Sequence, residues 1–378
     1  MRVLFWSEFF WPYIGGAELI GAKLISAMRE RGYEFAVITR KDSPDLPSKD
    51  RYNGIEIYRY PFWEAMRSLG TDQLMHVRRQ VADLKRSFAP DVVHLNGFGP
   101  TSLFFHLETK KAHPAPWLVA MHQGIGGRAL ELSSLGSADW VVGCSRATLD
   151  TARSRIPKII SRSSVIYNGI EEPSLFPSSL PFDAPRLLCV GRLDTQKGYD
   201  LALTAFASII DRYPRVRLVL AGDGPERPAL EKQAKELGII HAVDFNGWVA
   251  PEMVPDLINA STIVMMPSRR ESFGLVAVEA ALMARPTVAT RVGGLPEVVV
   301  DGETGIVVEP EDPAALADAT VHLLTHRKTA TEMGLAGRRR AREVFGLQQY
   351  VDAYDDLYQK MVKHPFLRNK LELSRLRT

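Results

Sequence analysis

The sequence lacks the features that mark secreted or membrane-spanning proteins. It has only two cysteines in 378 residues, Cys144 and Cys189, and each lies in an apolar, strand-like run. Such thiols are typical of a protein core in a reducing compartment, so we expect neither a disulfide nor a metal site from them. The apolar N-terminal stretch is interrupted by Glu8 and is too short for a signal sequence. No run reaches the roughly 18 apolar residues of a membrane-spanning helix, so we predict a cytoplasmic protein.

An excess of charge of one sign is also missing. Lysine and arginine number 47 against 44 aspartates and glutamates, which leaves a net charge of +3. This charge is too small to predict a nucleic-acid partner. The chain contains no D-x-D triad that would hold a divalent ion, and no G-x-G-x-x-G turn follows the first predicted strand. We therefore expect neither a metal cofactor nor an ordinary dinucleotide site.

Short apolar runs alternate with segments of helical period along the whole chain. This alternation predicts an α/β protein with parallel sheets, and the length favours two domains. Seven strands are predicted in the first half, at residues 2–6, 35–39, 56–60, 92–95, 117–121, 140–143 and 165–167. Six more are predicted in the second half, at residues 186–190, 217–221, 244–245, 262–266, 287–289 and 306–308. With helices between them, the predicted fold is two Rossmann-like, doubly wound parallel-sheet domains.

A proline-rich segment at residues 171–185 separates the two halves. Its four prolines, at positions 173, 177, 181 and 185, predict a linker. The predicted domains are therefore residues 1–172 and 186–346. Residues 347–378 form a third segment, with an amphipathic helix at 347–361 and a basic tail. Ligands of doubly wound domains bind at the carboxyl ends of the strands, and the candidate site residues lie there.

The stretch from Met266 to Glu297 holds two glutamates around a predicted helix start. Glu271 precedes a helix that begins at Gly274-Leu275, and Glu279 lies inside that helix among apolar neighbours. A helix N-terminus attracts anions, whereas a carboxylate on an apolar helix is costly without a partner. We interpret the pattern as a phosphate at Gly274-Leu275 with the glutamates gripping hydroxyls on either side. The alternative is that Glu279 pairs with a buried cation and Glu271 is an ordinary exposed residue.

Two further loops of the second half favour a phosphate ligand. Arg192 and Lys197 follow the strand at 186–190, where two cations can neutralise a diphosphate. The alternative is a surface turn with ordinary basic residues. Gly222 and Gly224 flank Asp223 in the next strand-to-helix turn. We expect these glycines to serve the turn and the close approach of a nucleotide, with Asp223 as a helix cap.

In the first half, glycines and histidines lie at the predicted ligand edge. Gly15 and Gly16 begin the first helix and would let a phosphate or sugar approach its N-terminus, although a tight helix entry explains them equally well. His94 and His122 each close a strand. A lone histidine there is usually structural, but two at one edge of a parallel sheet indicate a functional role about equally often.

The ordered run Glu271-Ser-Phe-Gly-Leu, Glu279, Gly293-Gly-Leu-Pro-Glu297 and Asp301-Gly-Glu-Thr-Gly305 resembles the retaining glycosyltransferases of family 4. The resemblance covers essentially residues 3–361. It implies the GT-B arrangement, in which two Rossmann-like domains face each other across a cleft and the C-terminal helix crosses back to the first domain. It also implies a nucleotide-sugar donor.

The resemblance assigns roles to the matching residues. Arg192 and Lys197 would hold the donor diphosphate, Glu279 the ribose hydroxyls, and Glu271 the sugar hydroxyls. His122 would contact the donor sugar, and these five residues form the predicted catalytic set. Other predicted donor contacts are Gly15, Gly16, Gly222, Gly224, Val249 beside the base, and the loop of Ser272, Phe273, Gly274 and Leu275. His94 and Asn96 fall on the acceptor side, where the family often has His-x-His and this chain has His-x-Asn.

We therefore predict a retaining glycosyltransferase that uses a UDP-sugar, with GDP-mannose as the next candidate donor. Its acceptor would be a hydroxyl of a saccharide, a small molecule or a lipid-linked glycan. Alternatives are a sugar phosphorylase, a nucleotide-sugar 2-epimerase, and a binding protein without catalytic activity. The basic, aromatic segment at residues 62–86 is interpreted as an ordinary amphipathic surface helix. The alternatives for this segment are contact with an anionic membrane at its inner face, or the border of an acceptor channel.

Overall fold

The computed structural model describes residues 1–13, 15–68, 71–97, 99–125 and 129–363, with the backbone alone for 129–131. The chain forms two compact units. The first contains Met1–Gly169 together with the chain from Gln348 onward, and the second is Ile170–Leu347. The predicted basic tail lies outside the described residues.

The first unit is built on an eight-stranded sheet with the strand order β3-β4-β2-β1-β5-β6-β7-β8. All neighbouring strands are parallel except β3 and β4. The strands are β1 Arg2–Ser7, β2 Glu34–Arg40, β3 Lys49–Tyr52, β4 Ile55–Tyr60, β5 Val92–Asn96, β6 Trp117–Met121, β7 Trp140–Gly143 and β8 Ser163–Val165. The helices are α1 Gly16–Glu30, α2 Phe62–Arg67, α3 Thr71–Phe88, α4 Pro100–Thr109, α5 Ala129–Leu135 and α6 Arg146–Arg155.

Two strands at opposite edges of this sheet depart from the prediction. β3 was not predicted, because its sequence, Lys-Asp-Arg-Tyr, is almost entirely charged and has no buried residue. It pairs antiparallel with β4 through a turn at Asn53-Gly54, which both have positive φ. β8 ends at Val165, where the predicted strand begins, and is half-exposed throughout. Edge strands lack the continuous apolar run of a buried parallel strand, and their pattern is correspondingly weak.

The segment at residues 62–86 contains two helices with a buried apolar side. Phe62 and Ala65 of α2 are buried, as are Val77 and Val81 of α3. This burial favours the interpretation of ordinary amphipathic surface helices. Lys85 of α3 is also buried, and its Nζ lies 3.4 Å from His106 Nδ1. Within the described residues, no helix has the length and apolarity needed to cross a bilayer.

The second unit is built on a six-stranded parallel sheet with the order β11-β10-β9-β12-β13-β14. Its strands are β9 Arg186–Val190, β10 Arg217–Ala221, β11 Val243–Gly247, β12 Ile263–Met266, β13 Thr287–Thr290 and β14 Gly305–Val308. Its helices are α7 Tyr199–Ile210, α8 Arg227–Glu236, α9 Val254–Asn259, α10 Leu275–Leu282, α11 Leu295–Val298, α12 Pro313–Thr325 and α13 Arg327–Val344. From β9 the chain adds β10 and β11 on one side of the sheet, and it then adds β12, β13 and β14 on the other side. The carboxyl ends of β9 and β12 therefore flank the switch point, where doubly wound domains bind ligands.

The proline-rich segment packs on the second unit. Arg285 is fully buried and donates to the Ser178 carbonyl at 2.9 Å, and Asn259 Oδ1 accepts from the Ser178 N–H at 2.9 Å. Leu180 and Phe182 pack against the apolar core. The segment is thus part of the domain that follows it.

The last helix, α14 Leu347–Lys363, returns to the first unit, as the fold class predicts. Arg31 bonds Asp355 at 2.9 Å, and the Tyr33 hydroxyl donates to the same carboxylate at 2.6 Å. Tyr354 and Tyr358 bury their rings completely or nearly so. Tertiary packing of its apolar side holds the helix on this unit.

Candidate active site

Lys197 and Glu271 form an ion pair at the switch point of the second unit. A short helical turn, Thr195–Lys197, follows β9, and Asp194 caps it by accepting from the Gln196 N–H at 3.0 Å. Lys197 Nζ donates to Glu271 Oε2 at 2.7 Å, and both side chains are largely buried. Two predicted site residues 74 positions apart are therefore in direct contact.

The loops that carry this pair are locked together by their backbones. Gly198 has a φ of 65°, and a Cβ there would lie 2.1 Å from the Pro267 carbonyl oxygen. The Arg269 N–H donates to the Gln196 carbonyl at 2.7 Å. Only glycine fits at position 198, because both the conformation and the contact exclude a side chain.

Arg269 strengthens this link, and the sequence interpretation missed it. Its guanidinium donates two hydrogen bonds of 2.7 Å to Asp200 and two, of 2.6 and 3.2 Å, to Glu311. These contacts raise the pKa of Arg269, with Asp200 as the main cause, and the same guanidinium lowers the pKa of Asp200. The arginine doublet directly before Glu271 was the available signal, but it does not reveal which acids it would reach.

The N-terminus of α10 lies next to Glu271 in the chain. Gly274 has a φ of 106°, and the Gly294 N–H donates to the Glu271 carbonyl at 3.1 Å. Phe273 is buried against Phe345, with ring centroids 5.6 Å apart. The first N–H groups of a helix have no partner inside the helix, so the backbone at Gly274-Leu275 offers donors to an anion.

Glu279 is more exposed than the sequence predicts. It is half-buried, and so are Leu275 and Val276, its neighbours on the same side of α10. The prediction of a helix buried all round is wrong, because this side of α10 is open. A half-exposed carboxylate is less costly than a buried one and is accessible to a ligand.

Arg192 stands apart from the ion pair. Its side chain is 73% exposed, and its Nε lies 4.0 Å from Asp194 Oδ2. Among the described residues it forms no hydrogen bond with Glu271. It follows β9 at the ligand edge and is able to reorient, since exposed arginines have many rotamers.

The glycines of the neighbouring loop pack against backbone. A Cβ at Gly222 would lie 1.9 Å from the Gly191 carbonyl oxygen, and one at Gly224 would lie 2.3 Å from that of Leu193. Contact between the two loops therefore explains both glycines without any nucleotide. Val249 is half-buried just after β11.

Gly15 and Gly16 border a carboxylate in the first unit. A Cβ at Gly15 would lie 2.3 Å from Glu18 Oε2, and burial raises the pKa of Glu18. Glu18 lies in the first turn of α1, where it already places an acid at the helix N-terminus. The arrangement disfavours a phosphate there, because the helix N-terminus already has an acid beside it.

His122, which follows β6, is brought together with Asn96 at the end of β5, next to the switch point between β1 and β5. Asn96 Nδ2 donates to the Ala17 carbonyl at 3.2 Å, so its Oδ1 accepts from His122 Nε2 at 2.7 Å. Burial lowers the pKa of His122 to about 4. The ring is therefore neutral at pH 7, and its Nδ1 lone pair has no partner among the described residues.

His94 does not line an open acceptor site. It is completely buried, stacks on Tyr354 with a centroid distance of 5.1 Å, and its Nδ1 lies 2.6 Å from the Tyr358 hydroxyl. Burial, with a smaller contribution from His122, lowers its pKa well below the usual value. The predicted acceptor contact by this side chain is wrong, because α14 covers the strand at that position.

Glu8 is a structural residue that the sequence interpretation did not assign. It follows β1 and accepts from the Thr101 hydroxyl at 2.7 Å and from the Ser102 N–H at 3.0 Å. It thus caps α4 across the switch point of the first unit. In the part of the chain that the structure describes, no cluster of three or more histidines, cysteines or acids is arranged to hold a metal ion.

Comparison with known proteins agrees with this arrangement. A model of Glycosyltransferase Family 4 matches residues 14–172, and a model of Glycosyl transferases group 1 matches residues 172–340. A D-inositol 3-phosphate glycosyltransferase from Acidothermus cellulolyticus is 30% identical over 356 residues, which cover 82% of this chain and 78% of that protein. The chain belongs to glycosyltransferase family 4. Glycogen synthase from Mycobacterium tuberculosis is 28% identical to this glycosyltransferase. The match covers 95% of this chain and 94% of the glycogen synthase.

Solved structures confirm the GT-B fold of this family 4 glycosyltransferase. Sucrose-phosphate synthase from Thermosynechococcus elongatus aligns with a TM-score of 0.81 and 24% identity over 95% of this chain and 98% of that one. HepE from Anabaena, solved in complex with UDP-glucose, aligns with a TM-score of 0.76 and 20% identity over 95% and 100%. The prediction of a glycosyltransferase is confirmed, and the phosphorylase, epimerase and non-catalytic alternatives are disfavoured.

Proposed function

We propose that this enzyme transfers a sugar from a UDP-sugar to a hydroxyl group of a saccharide or small-molecule acceptor. The transfer would proceed with retention of configuration and without a metal ion. The main support is the ion pair between Lys197 Nζ and Glu271 Oε2, which lie 2.7 Å apart. Glu271 lies just before the N-terminus of α10 in the chain. UDP is favoured over GDP because structural neighbours have been solved with UDP and UDP-glucose.

The leaving diphosphate is the group that most needs stabilisation in this reaction. Lys197 would turn from Glu271 to the diphosphate, and the exposed Arg192 would close on it from the same strand end. The N–H groups at Gly274-Leu275 would donate hydrogen bonds to the negatively charged phosphate oxygens. Two cations and a helix N-terminus can neutralise a diphosphate in place of a divalent ion, which supports transfer without metal.

The carboxylates would bind hydroxyl groups. Glu271, released by Lys197, would accept from hydroxyls of the donor sugar, and the half-exposed Glu279 would accept from the ribose. The neutral His122 offers its Nδ1 lone pair to a sugar hydroxyl. With a pKa of about 4 it acts at neutral pH as a hydrogen-bond acceptor and not as an acid.

The test is thermal unfolding with UDP, GDP and ADP, followed by an assay of sugar-nucleotide hydrolysis. A ligand at a hundredfold excess over its Kd stabilises by about 2.7 kcal/mol, so UDP is expected to raise the Tm clearly. Lys197→Ala should lose this shift. Lys232→Ala is the matched control, because Lys232 is an exposed lysine of α8 whose Nζ lies 3.5 Å from Glu236.

Each outcome decides one part of the proposal. A Tm shift with GDP alone would show that the donor nucleotide is GDP and not UDP. No Tm shift with any nucleotide would contradict the proposed donor site. Loss of hydrolysis in EDTA that Mg²⁺ restores would contradict transfer without metal. An equal Tm shift in Lys197→Ala and wild type would show that Lys197 does not bind the diphosphate.

A further inference from the structure

Tyr199 carries a buried hydroxyl beneath the loop that bears Lys197. It is the first residue of α7 and is 3% exposed. A Cβ built on Gly191 would lie 3.0 Å from the Tyr199 hydroxyl, so the phenol reaches back under the end of β9. The hydroxyl has no hydrogen-bond partner among the described residues. An unpaired buried hydroxyl opposes folding, and phenylalanine would avoid this cost at the same size.

The surroundings of this hydroxyl connect it to the ion pair. The Cβ position built on Gly191 also lies 3.6 Å from Lys197 Cε. Lys197 Nζ in turn donates to Glu271. Burial raises the pKa of Tyr199, and so do Cys189, Asp194 and Glu271. The Tyr199 hydroxyl and the Lys197 side chain therefore approach the same position at Gly191, and Lys197 leads directly to Glu271. A phenol is a good donor to a carboxylate.

Binding of a diphosphate changes the partners of Glu271. Lys197 cannot hold Glu271 at full strength and neutralise a diphosphate as well. Once the ammonium turns away, Glu271 is a carboxylate with only 15% of its side chain exposed and no cation, which is unfavourable. Asp194 has less need of a new donor, because its carboxylate already accepts from the Gln196 N–H.

We propose that Tyr199 is a positioning residue of the donor site, whose hydroxyl donates to the Glu271 carboxylate when Lys197 moves to the donor diphosphate. The proton stays on the phenol throughout. Glu271 thereby exchanges one partner for another and keeps its place for the sugar. This inference rests on the proposed function, because it requires a ligand with a diphosphate.

The first experiment compares Tyr199→Phe with wild type and with Tyr350→Phe. Tyr350 is an equally buried tyrosine of α14 in the other unit, so its substitution controls for the chemical change. Without ligand, Tyr199→Phe should have an unchanged or higher Tm. By calorimetric titration its Kd for UDP should rise about tenfold, the usual effect of one hydrogen bond to a charged group. Its Kd for uridine, which has no phosphate and leaves Lys197 in place, should be unchanged.

The second experiment tests whether Tyr199 acts through Glu271. In the Glu271→Ala background, Tyr199→Phe should cause no further loss of UDP affinity, because the oxygen atoms that would accept from the phenol are already absent. Losses that simply add would overturn the proposal. So would wild-type UDP affinity in Tyr199→Phe, or a lowered Tm with equal losses for UDP and uridine. Failure of the wild type to bind UDP would reject the proposed function and this inference together, whereas normal UDP binding by both proteins rejects the inference alone.

Discussion

The substitution Gly198→Ala is expected to push apart the two loops that carry Lys197 and Glu271. Its φ of 65° lies in the left-handed region, which costs an alanine about 1–2 kcal/mol. The new Cβ would also lie 2.1 Å from the Pro267 carbonyl oxygen. Nonbonded heavy atoms prefer separations of about 3.5 Å, so this backbone carbonyl would have to move by about 1 Å or more.

That displacement should lower both stability and ligand binding. Overpacking of this kind adds about 1–3 kcal/mol to the conformational cost. Because Glu271 follows Pro267 by four residues, the same movement would stretch its 2.7 Å bond with Lys197. A misplacement of about 1 Å in an active site lowers the reaction rate by up to about a hundredfold. We expect UDP affinity to fall by about tenfold or more.

Gly238→Ala provides the matched control. Gly238 follows α8 with a φ of 72°, and no atom lies within 4 Å of a Cβ built there. It therefore carries the conformational cost without the clash. Denaturant unfolding and UDP titration of both variants should show that Gly198→Ala is the less stable and that it alone loses affinity. Equal destabilisation in the two variants, with UDP binding intact, would refute the steric argument.

Three further substitutions, one of them with a matched control, probe other contacts of the structure. Burial lowers the pKa of Lys85 from 10.5 to about 7, so between these values the unfolded chain binds a proton that the native chain does not. Stability should therefore rise with pH from about 7 upward, and urea unfolding of Lys85→Met should lack this rise. Arg269→Ala should lower both the Tm and the UDP-induced shift. Arg291→Ala, which loses exposed contacts to Glu309 and Asp301, should keep the shift. The raised pKa of Glu18 disfavours its charged form in the native state, so stability is lost as pH rises above about 4.5. Glu18→Gln should therefore be more stable than wild type at pH 7 but not at pH 4, and an equal difference at both would contradict this.

The central strands and the loops that follow them were predictable from the sequence. β9 and β12 are buried parallel strands, and such strands appear as continuous apolar runs with clear ends. The loops that follow those ends are candidates by position, and their charged residues and glycines led to Lys197 and Glu271. The fold follows from the same alternation of elements.

Contacts between distant segments were not predictable in this way. Nothing in β5 reveals that Tyr354 and Tyr358 cover His94, because the two segments lie more than 250 residues apart. The carboxylate of Glu18 over Gly15 depends on a side-chain rotamer, and the exposure of Glu279 depends on what packs against α10. Periodicity identifies an apolar side of a helix or strand, but it does not identify what covers that side.

The return of α14 to the first unit has a consequence for the order in which the protein is completed. The second unit is one uninterrupted segment, Ile170–Leu347, whereas the first needs partners at both ends of the chain. The bond between His94 and Tyr358 spans 264 residues. During synthesis from the N-terminus, the domain made first must therefore wait for the last helix, while the domain made second can finish before it.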